Sequence, residues 1–177
     1  MFFDSAAYGP EAAAILALDG GGERLMALAE PVCCSPAARA ALQASDARHL
    51  FPHGRAPEAA LAGLYLYFGF WPEAHQLAQD IATPEGSYWH AMVHRQEPDS
   101  GNSSYWFRQV GRHAIFPALR QAAADLGVDL GPQWAPAAFI ALCERARRSP
   151  GSALERQALE VQRAEWQLLF DYCARGG

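Results

Sequence analysis

The chain of 177 residues contains no lysine, and all 14 of its basic residues are arginine. Schiff-base chemistry, attachment of pyridoxal phosphate and the Walker-type phosphate loop each require a lysine amine, so this sequence excludes all three. Arginine remains available for planar, bidentate recognition of carboxylates or phosphates. We therefore expect neither pyridoxal phosphate nor a P-loop nucleotide as a cofactor.

Cysteine is also scarce, with four residues at Cys33, Cys34, Cys143 and Cys173 and no CxxC pair among them. A zinc knuckle and a thioredoxin motif both need such a pair, so neither is predicted. Free and mostly buried thiols in a reducing compartment are the expected state of these residues.

Basic blocks and long hydrophobic runs are missing as well. The net charge is −5, and no cluster of arginines forms the positive patch that nucleic acids or anionic membranes require. The longest apolar run covers the 13 residues from Ala59 to Trp71, whereas a membrane span needs roughly 20. We expect a soluble cytoplasmic protein with neither nucleic acid nor membrane as a partner.

Proline is abundant, with 12 residues, and divides the chain into helical segments. It fits the first turn of an α-helix, where its missing N–H is not needed. Helices are expected to begin at or near Pro10, Pro36, Pro57, Pro72, Pro84, Pro117 and Pro136. Residues 25–32 and 112–116 are the two stretches that could form extended chain. Neither shows the alternation of apolar and polar residues that is typical of a strand. The sequence predicts one all-α domain over residues 1–177, a helical bundle or helical-hairpin array of about seven to nine helices.

The last predicted helix, about residues 152–173, is long and amphipathic. Its apolar residues alternate with charges at helical spacing, which is typical of a helix that docks on its own domain. The same face is also suitable for a homodimer seam, and that alternative stays open.

Three histidines form the first candidate site. His90 and His94 are four positions apart, so on a helix they share one face. If Thr83 and the proline after it make the turn of a helical hairpin, His75 faces this pair at a similar height. Such a trio suits zinc, iron or another divalent first-row metal, and Glu97 could add an oxygen ligand. The alternatives are acid or base chemistry by His90, His94 and Glu97 without a metal, or a hydrogen-bonded core network.

Charged and aromatic residues follow the second histidine closely and form a candidate ligand-binding group. Its members are Arg95, Asp99, Asn102, Tyr105, Trp106 and Arg108. Arg95 and Arg108, with Arg112 four positions further on, are candidates to bind an anion. Internal pairing is the competing interpretation, in which Asp99 or Asn102 caps the next helix and each arginine pairs with a carboxylate.

The segment from His90 to Arg108 resembles the pattern of a family of bacterial and fungal proteins with no assigned activity. That pattern reads H-x3-HR-x-E-x-D-x2-N-x2-YW-[FY]-R, and the similarity extends over about residues 57–120. The resemblance indicates where a site should lie and implies no particular reaction.

Three functions are consistent with the sequence. The leading hypothesis is a pocket around the helix carrying His90, His94 and Arg95 that binds a small, anionic molecule. The second is a metal-dependent enzyme that uses His75 with the other two histidines. The third is a helical protein-interaction module without a catalytic site.

Overall fold

The computed structural model describes residues 3–29, 33 and 35–176 of the chain. Within these residues all regular secondary structure is helical, which confirms the all-α prediction. Residues 112–116 and 25–29 form no strand, and residues 30–32 lie outside the described part. No helix in the described ranges combines the length and the apolar character needed to cross a membrane.

The described residues form ten α-helices and two short 3-10 turns. The turns are Ser5–Tyr8 and Gly20–Gly22. The α-helices are α1 (Pro10–Ala17), α2 (Pro36–Ala44), α3 (Ala47–Leu50), α4 (Pro57–Tyr67), α5 (Trp71–Asp80), α6 (Pro84–Gln96), α7 (Ser100–Val110), α8 (Phe116–Asp125), α9 (Pro136–Arg147) and α10 (Ala153–Ala174). The helix count exceeds the expected range only because Ser45 and Asp46 separate the short α3 from α2.

Prolines begin the helices as the sequence indicates, since seven helices carry proline in their first or second position. Side-chain caps support the same boundaries. Ser35 accepts a hydrogen bond from the N–H of Ala38, and Thr83 accepts one from the N–H of Gly86. These oxygens satisfy amides that the first helical turn leaves unpaired, so each helix begins at a defined residue.

Two of the predicted thiols are buried, at Cys143 and Cys173, and both are free. Burial raises the pKa of the Cys143 thiol to about 11, so it stays protonated at neutral pH. Cys33 is free but exposed, contrary to the expectation of burial. Cys34 lies outside the described residues.

The core is centred on α4, whose residues 59–64 are buried on every face. This helix packs against α5, α6 and α10, and α6 packs in turn against α7. At the crossing of α4 and α6, a side chain on Gly63 would collide with the Trp89 ring. The absent side chain therefore allows the two helices to approach closely.

The long C-terminal helix α10 directs its apolar face into its own domain. Trp166, Leu169 and Phe170 are fully buried there, and the Trp166 ring stacks on that of Phe170. The indole N–H of Trp166 donates to the Gly63 carbonyl at 2.8 Å. Since the chain's own core uses this face, the homodimer seam stays a prediction.

A buried ion pair joins α6 to α10. Arg95 and Glu165 are 1% and 0% exposed, and the guanidinium donates to the Glu165 carboxylate. The Tyr88 hydroxyl donates to the same carboxylate at 3.0 Å. Burial raises the pKa of Tyr88 well above its usual range, so this hydroxyl keeps its proton. Gln162 also accepts from Arg95, at 3.5 Å, and donates to the Met26 carbonyl at 2.9 Å.

Removing the positive charge of Arg95 should strongly destabilise the fold. Arg95→Met leaves the Glu165 carboxylate buried without its partner, which costs about 3–5 kcal/mol in comparable pairs. We expect the free energy of unfolding, measured by urea denaturation, to fall by that amount. Arg156→Met is the matched control because it breaks an exposed pair with Glu160, where the expected loss stays below about 1 kcal/mol. Equal losses in the two variants would contradict a dominant role for the buried pair.

Candidate metal-binding site

Three histidine side chains converge between α5 and α6. The Nε2 atom of His90 lies 3.0 Å from Nε2 of His75 and 3.1 Å from Nε2 of His94. One ring nitrogen from each of the three lies within 4.8 Å of the others. His90 and His94 are buried and His75 is partly exposed, so the group lies just beneath the surface.

Local sequence explains this convergence. The spacing of four residues places His90 and His94 on one face of α6, where their rings stack with centroids 4.7 Å apart. The turn at residues 81–83 returns the chain antiparallel to α5, which places His75 beside them. Gly86 lies against this turn, and a side chain there would collide with the Ile81 carbonyl oxygen.

Hydrogen bonding alone does not satisfy the three ring nitrogens well. A neutral imidazole nitrogen carries either one proton or one lone pair, so it makes one normal hydrogen bond along its ring plane. Nε2 of His90 has two such neighbours, both within 3.1 Å. A cation bound by all three lone pairs would use each nitrogen fully.

The distances also agree with the dimensions of a metal site. Zinc binds histidine nitrogen at about 2.0–2.1 Å with tetrahedral angles, which separates two ligand nitrogens by about 3.3 Å. The observed separations of 3.0 and 3.1 Å differ from that value by a few tenths of an ångström. The group as a whole spans up to 4.8 Å, so side-chain rotations that bring His75 and His94 closer together would be needed to form three metal ligands.

Glu97 supports His94 from the opposite edge of its ring. The Oε2 atom of Glu97 lies 2.8 Å from Nδ1 of His94. This contact lacks hydrogen-bond geometry, because Nδ1 of His94 is without a hydrogen-bond partner among the described residues. A rotation that brought the carboxylate into line would keep the proton on Nδ1 and leave the Nε2 lone pair for the other histidines. Glu97 does not belong to the convergent group, and its roles as an oxygen ligand or as an acid or base stay predictions.

The Trp106 ring packs on His90 and restricts its orientation. The two ring centroids are 4.1 Å apart, with an angle of 30° between the planes. The Nδ1 atom of His90 is buried and has no hydrogen-bond partner among the described residues. Packing against Trp106, rather than a hydrogen bond at Nδ1, therefore sets the plane of this ring.

The electrostatic surroundings keep His90 neutral. Burial, followed by the nearby His75 and His94 rings, lowers the pKa of His90 to about 4. The neutral imidazole is the form that binds metals, because protonation removes the lone pair. At neutral pH this site therefore presents a metal-binding form without prior loss of a proton from His90.

The arginines predicted to bind an anion do not join the histidines. The Arg95 guanidinium points the other way, pairs with Glu165 and packs on the Phe139 ring at 4.6 Å. Arg108 is exposed and lies 5.7 Å from the centre of the Tyr105 ring, which is itself 46% exposed. Arg112 follows Gly111, at which α7 ends as the sequence indicates, so Arg108 and Arg112 do not lie on one helix.

Asp99 and Asn102 have a structural role in the described chain. Asp99 is the N-cap of α7, and its carboxylate accepts hydrogen bonds from the backbone N–H and the side-chain amide of Asn102, at 3.0 and 2.7 Å. These contacts match the internal pairing considered for the two residues. They also fix the start of α7, the helix that carries Trp106.

Sequence reasoning did not find the partners that fix α6. Glu165 is 70 positions from Arg95, and no local spacing indicates that the two meet. The role of Trp106 as a ring packed on His90 was also missed, although the residue was included in the ligand-binding group. Its side chain reaches His90 because α7 packs closely along α6.

Comparison with known proteins found no matching family model, no matching curated protein and no matching solved structure. The resemblance carried by the segment from His90 to Arg108 accordingly stays a prediction. The arguments about function therefore rest on the geometry of the chain's own residues.

The neutral state of His90 can be measured directly. In protein freed of metal by a chelator, NMR titration of the His90 ring should show a neutral imidazole down to about pH 5. A histidine in the unfolded chain protonates near pH 6.5, so the unfolded state binds more protons between about pH 6.5 and 4. The contribution of His90 to the free energy of unfolding should therefore decrease as the pH falls through that window. Protonation of this ring with a midpoint near 6.5 would contradict the predicted burial effect.

Proposed function

We propose that the protein is a metal-dependent enzyme that holds a divalent first-row transition metal ion through His75, His90 and His94. The observation that carries this proposal is the convergence of the three Nε2 atoms, with two separations of 3.0 and 3.1 Å. The Glu97 carboxylate lies 2.8 Å from Nδ1 of His94, and a carboxylate beside the outer ring nitrogen is typical of metal-binding histidines.

The ligand set favours zinc and its neighbours over harder cations. Neutral imidazoles suit zinc, iron, nickel and copper, whereas magnesium and calcium take oxygen ligands. Among the described residues, no carboxylate belongs to the convergent group. The bound ion would therefore keep its full double positive charge.

Three protein ligands suit a catalytic site better than a structural one. Structural zinc sites are usually closed by four protein ligands, whereas catalytic sites use three and keep one position for water or substrate. An ion bound in this way lowers the pKa of its water and polarises a carbonyl or phosphoryl oxygen. His75 is partly exposed, which gives a small molecule a route to the open position.

The residues around the trio have distinct supporting roles. Glu97 would hold the tautomer of His94 once its carboxylate accepts from Nδ1, and Trp106 packs on the His90 ring. The N-cap at Asp99 fixes the helix that carries Trp106. Because all three groups are ordered before any ion binds, little side-chain freedom is lost on coordination.

The other two functions considered have less support. An anion pocket around the histidines would use Arg95, whose guanidinium is instead buried in the core beside Glu165. An interaction module without a site would leave the convergence of three histidine nitrogens unexplained. Both stay predictions, and metal analysis separates them from the proposal.

Zinc binding tests the proposal. Isothermal titration of metal-free, untagged protein with Zn²⁺ should give one site per chain, confirmed by elemental analysis of the dialysed complex. His75→Ala removes one ligand, so the affinity of this variant for Zn²⁺ should fall. The loss should exceed the factor of about 10 to 100 that removal of a supporting residue costs. The matched control is His53→Ala, which removes an exposed histidine outside the trio.

Cobalt provides the complementary measurement for the open position. In the Co²⁺-loaded protein, added azide should change the visible absorption spectrum because it enters the metal's coordination shell. Absence of stoichiometric zinc and cobalt in the wild type would overturn the metal site. Stoichiometric cobalt with a spectrum unaffected by azide would retain the metal but contradict the enzyme proposal.

The supporting role of Glu97 predicts a graded series. Glu97→Ala should weaken Zn²⁺ binding by about 10- to 100-fold, because the tautomer of His94 is no longer fixed. Glu97→Gln retains a hydrogen-bond acceptor and should lie between the wild type and Glu97→Ala. Glu23→Ala is the control for the loss of one surface carboxylate, since Glu23 pairs with Arg163 and not with the three histidines. Equal affinities of Glu97→Ala and the wild type would contradict this role.

A further inference from the structure

A second cavity, about 400 Å³ in volume, lies between the beginning of α8 and the loop that precedes α9. None of the three histidines of the metal site lines it. Its walls include Arg112, Phe116, Arg120, Gln133 and Trp134. A cavity of this volume is within the usual range for small-molecule sites.

The charge of this cavity is opposite to that of the chain. Two arginines line it and no carboxylate does, although the net charge of the protein is −5. Within the described residues Arg112 makes no ion pair, and the Nε atom of Arg120 donates to the Gly131 carbonyl at 3.3 Å. Both guanidiniums therefore keep donors for an anion, which guanidinium binds in a planar, two-point geometry.

One residue that lines the same cavity carries a buried donor without an acceptor. Trp134 is only 6% exposed, and its indole N–H has no hydrogen-bond partner in the described part of the chain. Buried polar groups are almost always paired, and a buried N–H that is left unpaired is unfavourable. An acceptor oxygen on a ligand would satisfy this donor.

The first turn of α8 adds a third favourable feature. Phe116 and Pro117 belong to this turn and line the cavity. The turn contains no acidic residue, and no side chain caps it. Its partial positive charge therefore acts together with the two guanidiniums on a bound anion.

Aromatic walls indicate what else the ligand carries. The rings of Phe116 and Trp134 line the cavity, and Trp134 is held against the Phe139 ring at 5.2 Å. His113 also lines it, but its Nδ1 accepts from the Ile115 N–H at 3.4 Å and its Nε2 lies 3.8 Å from a Glu85 oxygen. We therefore do not count His113 among the anion donors.

We propose that this cavity binds a planar aromatic molecule bearing a carboxylate or phosphate group, with the ring beside Phe116 and Trp134 and the anion on Arg112, Arg120 and the Trp134 N–H. The shared chemistry is a flat ring next to an oxyanion. The inference is independent of the metal site, because it uses neither the three histidines nor Glu97.

Calorimetric titration in the presence of a chelator tests the cavity without any metal. The probes are phenyl phosphate and benzoate, with inorganic phosphate and benzyl alcohol as partial ligands. We expect one site per chain for at least one of the first two probes, and binding at least about tenfold weaker for each partial ligand. The comparison of phenyl phosphate with benzoate identifies the preferred anion.

Variants locate the site. Arg112→Gln, at an exposed position, should weaken the binding of the preferred probe by about tenfold or more, because a charged hydrogen bond is lost. Trp134→Phe keeps an aromatic ring but removes the N–H, and it should weaken the binding of the same probe. Arg148→Gln is the matched control, an exposed arginine with the same change of charge, and should bind like the wild type. Circular dichroism and the melting temperature verify the fold of each variant.

Three results would overturn the proposal. The first is no binding of either aromatic anion at millimolar concentration. The second is equal binding of inorganic phosphate or benzyl alcohol, which shows that ring and anion are not recognised together. The third is an unchanged affinity in folded Arg112→Gln, which places the bound probe elsewhere.

Discussion

Arg95 and Glu165 share a hydrogen-bonded contact in the interior, and the orientation of α6 depends on it. Successive residues on an α-helix project about 100° apart, so fixing Arg95 towards α10 directs the neighbouring His94 to a different side. The acceptors of the guanidinium, Glu165 and Gln162, both lie on α10, and the Tyr88 hydroxyl of α6 donates to the same Glu165 carboxylate. A buried charge thereby sets which face of α6 is turned towards α5. The ion pair is thus a constraint on geometry as well as a contribution to stability.

The turn between α5 and α6 sets the register of the hairpin, which is the height at which the two helices face each other. Thr83 caps α6, and the absence of a side chain on Gly86 lets the turn lie close to the helix. Rotation of α6 and register of the hairpin together bring His75 to His90. Trp106, carried by α7, then closes the side of the group that the hairpin leaves uncovered.

Much of this arrangement follows from local sequence, and the rest does not. Prolines and caps predict the helix starts because they act within one turn, and the spacing of His90, His94 and His75 predicts their convergence through a short hairpin. The partner of Arg95 could be either a ligand or a carboxylate of the chain, because Glu165 is far away in sequence and leaves no local pattern. The same limit applies to the cavity beside α8, where Arg112, Arg120 and Trp134 come from three separate segments. Contacts between distant segments depend on how the helices pack, which spacing alone does not specify.

The three histidines all lie within a single helical hairpin, between positions 75 and 94. Closing so short a loop costs little chain entropy, and the cost grows only slowly with length. The unfolded chain would therefore be able to bring the same three rings around the proposed ion, although with a lower affinity than the native hairpin. An ion that binds both states stabilises the native one only by the difference between its two affinities. A site this local would be able to capture its ion early, while the helices that complete the core are still assembling.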